Sequence, residues 1–218
     1  MKSNPHSNQL CPLCSSDRTQ EYHRDKHRIF NRCHNCELIF VPPEYFISHE
    51  EEKARYDSHI NNSDDQGYRE FLKRLYKPLE KRLNPKSSGL DFGSGPGPVL
   101  SQMFENSGHT MTLYDPFYAD NLSALSESYD FITATEVLEH LHHPGMETNR
   151  LWECLEPGGW LGIMTCPVPE SGAFEDWYYI RDSTHVCFYS HETFRWLAAC
   201  WNAELTIVEP DVILFKKV

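Results

Sequence analysis

The sequence predicts an α/β protein in which a doubly wound parallel sheet follows a small four-cysteine module and a helical connector. Three observations carry this expectation: two Cys-x-x-Cys pairs near the N-terminus, a strand-poor amphipathic stretch behind them, and alternating strand and helix patterns from Gly89 onward. The implied divisions are residues 1–45, 46–86 and 87–218. The 218 residues, 39% hydrophobic and 24% charged, suit a globular core of about 130 residues with a satellite module.

Cys11-Pro-Leu-Cys14 and Cys33-His-Asn-Cys36 stand 18 residues apart. A Cys-x-x-Cys turn presents two thiolates to one ion, and two such turns at this spacing make the tetrahedral set of a zinc ribbon. Four thiolates leave no open coordination position, so the expected zinc is structural. A hairpin over Glu21–Arg32 and a third strand over Leu38–Val41 complete the module. Cys154, Cys166, Cys187 and Cys200 sit among apolar residues and read as core thiols.

In the connector, Ser48-His-Glu-Glu51 has the form of a capping box that starts a helix running toward Ile60. Asn61–Asp65 is read as a break. A second helix, Gln66–Leu83, carries Tyr68, Phe71, Leu72, Leu75, Leu79 and Leu83 on one stripe, with Pro78 as a kink. From Gly89, a strand through Leu90–Phe92 enters the loop Gly93-Ser-Gly-Pro-Gly-Pro98 and a helix over Val99–Asn106. Met111–Tyr114 and Tyr129–Thr135 read as further strands. Ser190 caps a helix over His191–Cys200, and Ala203–Val208 and Val212–Lys217 end the chain as strands joined by a tight turn.

The loop fails the Gly-x-Gly-x-x-Gly pattern of dinucleotide sites in both registers. It reads Asp91-x-Gly93-x-Gly95-x-Gly97, and an acid at the strand end suits a ligand with an ammonium group better than a pyrophosphate. This pattern resembles motif I of the class I S-adenosylmethionine-dependent methyltransferases. Further along, Tyr129–His140 resembles that family's strand–EVLEH–helix motif, and Leu155-Glu-Pro-Gly-Gly159 resembles its turn into the fifth strand. The resemblance covers residues 89–166 and implies a Rossmann-like sheet of the seven-stranded type. It also implies S-adenosylmethionine as cofactor, held by Asp91, Gly93, Gly95 and Gly97, by Asp115 on the ribose, and by Glu136. One departure stands out. Only 14 residues separate Asp115 from Asp130, too few for a full helix and a full third strand.

Before the last helix, residues 175–189 gather aromatics, acids, an arginine and a histidine. Ligands of open α/β sheets sit beyond the carboxyl ends of the strands, where this loop must lie. Trp177, Tyr178, Tyr179, Arg181 and Asp182 are the candidate acceptor-binding residues. Asp182-x-Thr-His-Val186 is similar to a stretch of ubiquinone-type methyltransferases. His185 and His140 are the candidate bases, because an imidazole can take a proton from an acceptor. His140, His142 and His143 could bind a metal with Glu139, but no facing carboxylate pair is visible. They read instead as solvated or capping residues at a helix start, with His140 set apart by its motif position beside the cofactor.

Charge divides the functions that remain. Residues 1–86 carry 15 Lys and Arg against 13 Asp and Glu, whereas residues 87–218 carry 5 against 19. An acidic catalytic region disfavours a polyanion, and the expected acceptor is a small molecule. An RNA methyltransferase using the ribbon and the basic run 69–86 is an alternative, as is a cofactor-binding regulator without catalysis. No membrane-spanning run or signal sequence is visible, and a cytoplasmic location is expected.

Overall fold

The computed structural model describes residues 9–58, 65–169, 174–208 and 210–218. The end of the first connector helix near Ile60 and the break at 61–64 lie outside the described residues.

The ribbon contributes β1 (Thr19–Arg24), β2 (Ile29–Cys33) and β3 (Ile39–Phe40), joined in antiparallel order. The connector contributes α1 (His49–Asp57) and α2 (Gln66–Glu80). Ser48 closes the capping box with Glu51, as its sequence implies. Asp65 caps α2, accepting from the N–H groups of Gly67 and Tyr68. The helix passes through Pro78 and stops at Glu80, short of the expected Leu83.

The main sheet is built from β4 (Ser88–Phe92), β5 (Thr110–Tyr114), β6 (Tyr129–Thr135), β7 (Leu155–Met164), β9 (Glu204–Val208) and β10 (Val212–Lys216), in the order β5-β4-β6-β7-β10-β9. The first four strands are parallel, and β10 runs antiparallel to both β7 and β9. Helices α3 (Val99–Asn106), α4 (Pro144–Glu153) and α5 (His191–Trp201) complete the layers.

Alternation along each strand sorts the core into two faces. In β10, Val212 and Leu214 join Leu72, Leu75 and Leu79 of α2 and Phe104 of α3, whereas Ile213 and Phe215 join Leu151 of α4 and Phe194 of α5. Gly162 lets α2 lie close on β7, since a Cβ there would come within 2.9 Å of Leu75. Of the charges in the run 69–86, Arg74 pairs with Asp211, Glu80 meets His109 and Arg82 lies over the Trp160 ring, while Lys77, Lys81 and Lys86 are exposed.

The sheet has six strands where the seven-stranded type was expected. Between β5 and β6 stand a one-pair bridge, Asp115 with Ala119, and a short 3-10 turn over Leu122–Ser126. The 14-residue span cannot hold a crossover helix and a third strand together, which is the shortening the sequence indicated. Cys200 also departs from expectation: it is exposed, whereas Cys154 and Cys187 are buried and Cys166 is half-buried.

The ribbon does not stand apart. Its sheet takes a fourth strand from the C-terminal region, β8 (Cys187–Phe188), paired with β3 through Ile39 with Phe188 and Phe40 with Cys187. Cys11, Leu13, Phe30 and Leu38 share one continuous apolar cluster with Leu90, Ile132 and Leu161 of the main sheet. The first cysteine turn rests on α4, where Gly145 N–H donates to Pro12 O at 3.1 Å. A Cβ on Gly145 would lie 2.4 Å from the Leu13 carbonyl oxygen, so only glycine permits this approach.

Arg28, in the turn between β1 and β2, is 8% exposed and donates to the carbonyls of Ile180, Ser183 and His185. A guanidinium can serve three backbone acceptors at once, and the bonds to Ile180 and His185 are buried, where losing the donor is costly. Arg28→Met is expected to destabilise the protein by about 2–3 kcal/mol. Amide exchange should rise selectively over residues 178–186 while β4, β6 and β7 stay protected; unchanged exchange in that loop would show that Arg28 does not hold it.

Candidate active site

A cavity of about 570 Å³ opens at the carboxyl ends of β4, β5 and β6. Its volume is that of a cofactor-sized site. One end is lined by Gly93, Ser94, Gly95 and Asp115, the other by Glu139, His140, Thr184 and His185, with Glu136 between.

The glycine end follows from backbone geometry. Gly93 has φ +76° and Gly95 φ +62°, conformations that side-chain-bearing residues adopt at a cost. A Cβ on Gly93 would also meet Val137 at 2.3 Å. Asp115 closes the loop onto β5: its Oδ2 accepts from Gly95 N–H at 2.9 Å, and its Oδ1 accepts from the N–H groups of Phe117 and Tyr118 at 2.9 and 3.1 Å. The hydroxyls of Ser94 and Thr135 are buried, line the cavity and have no hydrogen-bond partner. Unpaired hydroxyls in a cavity wall are groups that a polar ligand can satisfy.

Asp91 takes a different place from the one its motif implied. Its carboxylate lies behind the loop, off the cavity, accepting from Ser101 Oγ at 2.7 Å and Thr133 Oγ1 at 2.8 Å. Burial raises its pKa despite these two donors. Here it ties β4 to α3 and β6. Gly97 also stands off the cavity wall.

At the other end Glu139 is fully buried, with Thr165 Oγ1 donating to Oε2 at 2.8 Å and Tyr179 Oη donating to Oε1. Tyr179 Oη also reaches Glu136 Oε2 at 3.5 Å. Burial, followed by the neighbouring Glu139 charge, pushes the Glu136 carboxyl up to about 9. Glu136 has φ +53°, a strained conformation for a glutamate, at the end of β6. His140 Nδ1 lies 3.2 Å from Thr184 O, and His185 Nδ1 lies 2.8 Å from Tyr179 O. A carbonyl can only accept, so in both rings Nδ1 carries the proton and Nε2 keeps the lone pair. Burial lowers the His185 pKa to about 4, so this imidazole is neutral.

Of the five residues proposed from sequence to hold an acceptor, Asp182 alone lines the cavity. Trp177 stacks with Tyr179 and packs against Phe174 and Phe188, closing the seam between loop and ribbon. Tyr178 is 64% exposed, and Arg181 is exposed as well. Tyr179 turns inward to hold Glu139. Aromatic density was a sign of packing here, with the rings serving the ribbon joint. Both candidate histidines, by contrast, reach the cavity.

Several wall residues were not legible as such. Helix α1 lies across the opening, bringing His49, Glu52 and Tyr56 to the cavity. It is held by Arg55 to Asp182 at 2.8 Å and by Tyr118 Oη donating to Asp57 at 2.7 Å. The capping box located this helix in the sequence but gave no sign of where it would dock. His142, read as solvated, is half-buried against Phe46 in a stacked pair with 4.2 Å between ring centroids. The four ribbon cysteines converge: one ligand atom from each lies within 4.8 Å of the others, and the closest sulfur pairs, Cys11 with Cys36 and Cys14 with Cys33, are both 3.5 Å apart.

The family of methyltransferase domains matches residues 64–209, well over half of the chain, and the protein belongs to it. No curated protein sequence matches the chain. Among solved structures, the fold is similar to the 1,6-didemethyltoxoflavin-N1-methyltransferase of Burkholderia thailandensis, solved with 1,6-didemethyltoxoflavin and S-adenosylhomocysteine. That likeness has 14% identity and a TM-score of 0.54, over 91% of this chain and 99% of the other. One chain of the complex between the Haloferax volcanii Trm112 methyltransferase activator and its methyltransferase matches at 13% identity with a TM-score of 0.52, over 74% and 96% of the two chains. An O-methyltransferase family protein of Burkholderia thailandensis matches at 12% identity with a TM-score of 0.50, over 76% and 62%.

Proposed function

We propose that this methyltransferase uses S-adenosylmethionine to methylate a small molecule, with both ligands in the one cavity. The observation that carries the reading is the cavity itself. A glycine loop with the unpaired Ser94 hydroxyl, the unpaired Thr135 hydroxyl at the end of β6 and the strand-end carboxylate of Asp115 line it together with a pair of histidines, His140 and His185. Asp115 and the backbone of Gly93–Gly95 hold the ribose and amino-acid portions, and Asp91 acts from behind by fixing the loop. Bound S-adenosylmethionine supplies an electrophilic methyl group on a sulfonium sulfur. The cavity walls hold the acceptor in line with that carbon, which removes much of the orientational barrier. As the new bond forms, the carbon–sulfur bond breaks and its electron pair stays on sulfur. A hydroxyl or amine acceptor then has a proton to lose, and Nε2 of His185 or His140 is free to accept it.

The acceptor is proposed to be small because the cavity is roofed by α1 and its walls are rich in carboxylates: Glu52, Asp115, Glu136, Glu139, Glu147 and Asp182. A phosphate backbone gains its affinity from Lys and Arg contacts, and none lines this cavity. The four ribbon thiolates hold one structural zinc in this reading. Ligands at about 2.3 Å from a tetrahedral ion lie about 3.8 Å apart, near the spacing of the two closest sulfur pairs. Among the described residues no helix is long and apolar enough to cross a membrane.

Three measurements test this function. Calorimetry should show S-adenosylmethionine binding to the wild type, weakened ten- to hundredfold by Asp115→Ala, the loss expected for about 1.5–3 kcal/mol of charged hydrogen bonding; equal affinity in the mutant removes the ribose role of Asp115. Metal analysis should find one zinc per chain, and its removal by a strong chelator should unfold the ribbon; a zinc-free chain with an intact ribbon would refute the structural-zinc assignment. A screen of metabolites for methyl transfer should yield an acceptor, whereas total RNA should bind weakly across a salt series. Tight RNA binding that falls steeply with salt and disappears on neutralising Lys73, Lys77 and Lys81 would replace the small-molecule reading with the RNA one.

A further inference from the structure

The inner end of the cavity holds a cluster that proton transfer alone does not account for. One ligand atom from each of Glu139, His140 and His185 lies within 4.8 Å of the others, and His140 Nε2 stands 4.0 Å from Glu139 Oε1. The two rings meet edge to face with centroids 4.8 Å apart. Their Nδ1 atoms are both taken by backbone carbonyls, of Thr184 and Tyr179, so both Nε2 lone pairs are fixed by structure. This is the outer-shell arrangement that orients imidazoles toward a metal. Glu139 is braced in the same manner, each carboxylate oxygen receiving one hydroxyl and keeping a lone pair.

Charge points the same way. Glu139 and Glu136 are brought together around Tyr179 Oη, and among the described residues neither forms an ion pair with Lys or Arg. Burial and the Glu139 charge hold the Glu136 carboxyl protonated, so the pair carries its negative charge on Glu139, a buried acceptor that a cation would satisfy. We propose that Glu139, His140 and His185 form a second metal site, distinct from the four-cysteine ribbon, that takes one divalent transition cation at the acceptor end of the cavity. Two imidazoles and a carboxylate suit Mn²⁺, Fe²⁺, Co²⁺ or Zn²⁺, and they leave coordination positions open toward the cavity, unlike the closed thiolate set. Ligand atoms on opposite sides of an ion at about 2.1 Å are about 4.2 Å apart, so the cluster closes on an ion with a small inward shift. The proposal goes beyond methyl transfer and replaces one part of it: with a cation on both Nε2 atoms neither imidazole is the base, and the acceptor would lose its proton while bound to the cation. It is read without S-adenosylmethionine or acceptor, so methyl transfer and metal binding can each fail alone.

The test uses the full chain with its ribbon metal retained and Mn²⁺ as probe, because thiolates disfavour Mn²⁺ whereas carboxylate and imidazole accept it. Electron paramagnetic resonance titration should show one bound Mn²⁺ per chain. Side-chain nitrogen spectra of the 12 histidines should lose the His140 and His185 signals to paramagnetic broadening while that of His27, in the ribbon hairpin, remains. Glu139→Gln and His185→Ala should each weaken binding at least tenfold, and His27→Ala should leave it unchanged. A wild-type chain that binds no Mn²⁺, Co²⁺ or Zn²⁺ beyond the ribbon ion overturns the proposal, as does bound Mn²⁺ that spares both histidine signals. Should a substituted chain fail to fold, the wild-type histidine spectrum decides alone.

Discussion

A short backbone relay ties the two ends of this molecule together. Ile39 and Phe40 of the ribbon pair with Phe188 and Cys187, Val41 N–H donates to Val186 O at 2.8 Å, and Val186 N–H donates to Glu139 O at 2.8 Å. A ribbon strand, the β8 segment and the turn after β6 are thereby held in fixed register, without dependence on side-chain identity. Everything at the inner end of the cavity hangs on that register. His185 is one residue from Val186, Glu139 is the acceptor residue of the last bond, and Arg28 locks the carbonyls on the loop's other side. A shift of one residue in β3 against β8 would turn alternate side chains over and pull the imidazoles apart.

This coupling explains which parts of the site could be read in advance. The places of Gly93, Gly95 and Asp115 on the cavity wall were legible because their geometry is local: positive φ, close approach and a carboxylate at a strand end leave direct marks in sequence. Six of the strands, the capping boxes at Ser48 and Ser190 and the shortened crossover after Asp115 were legible for the same reason. The misjudged residues are those whose partners are distant. Trp177 and Tyr179 look like pocket aromatics until Phe188 is seen beside them, itself packed on Phe30 of the ribbon, and nothing near residue 177 announces that neighbour. Asp91 carries the motif's acid, but Ser101 and Thr133 claim its carboxylate from two other elements.

Electrostatically the cavity is graded. The glycine end has the carboxylate of Asp115, whose oxygens receive three backbone N–H groups. The inner end has a glutamate pair in which burial and mutual repulsion keep Glu136 from ionising readily. A positively charged ligand is therefore drawn inward past Asp115 by the field of the walls, and low dielectric at the inner end strengthens every contact made there.

The loss of the third strand leaves helix α1 as a wall of the cavity. Glu52 is its one buried residue, and its attachments include the polar ties of Arg55 and Asp57, Lys53 over the Tyr118 ring, and ring contacts of His49 with Phe117 and of Tyr56 with Phe117 and His140. Residues that line the cavity thus sit on a helix outside the central sheet. Changes at His49 or Tyr56 can alter which molecules are admitted at little cost to stability. That separation gives this lineage an inexpensive way to diversify its substrates, and it makes α1 the natural segment to randomise when a new acceptor is sought.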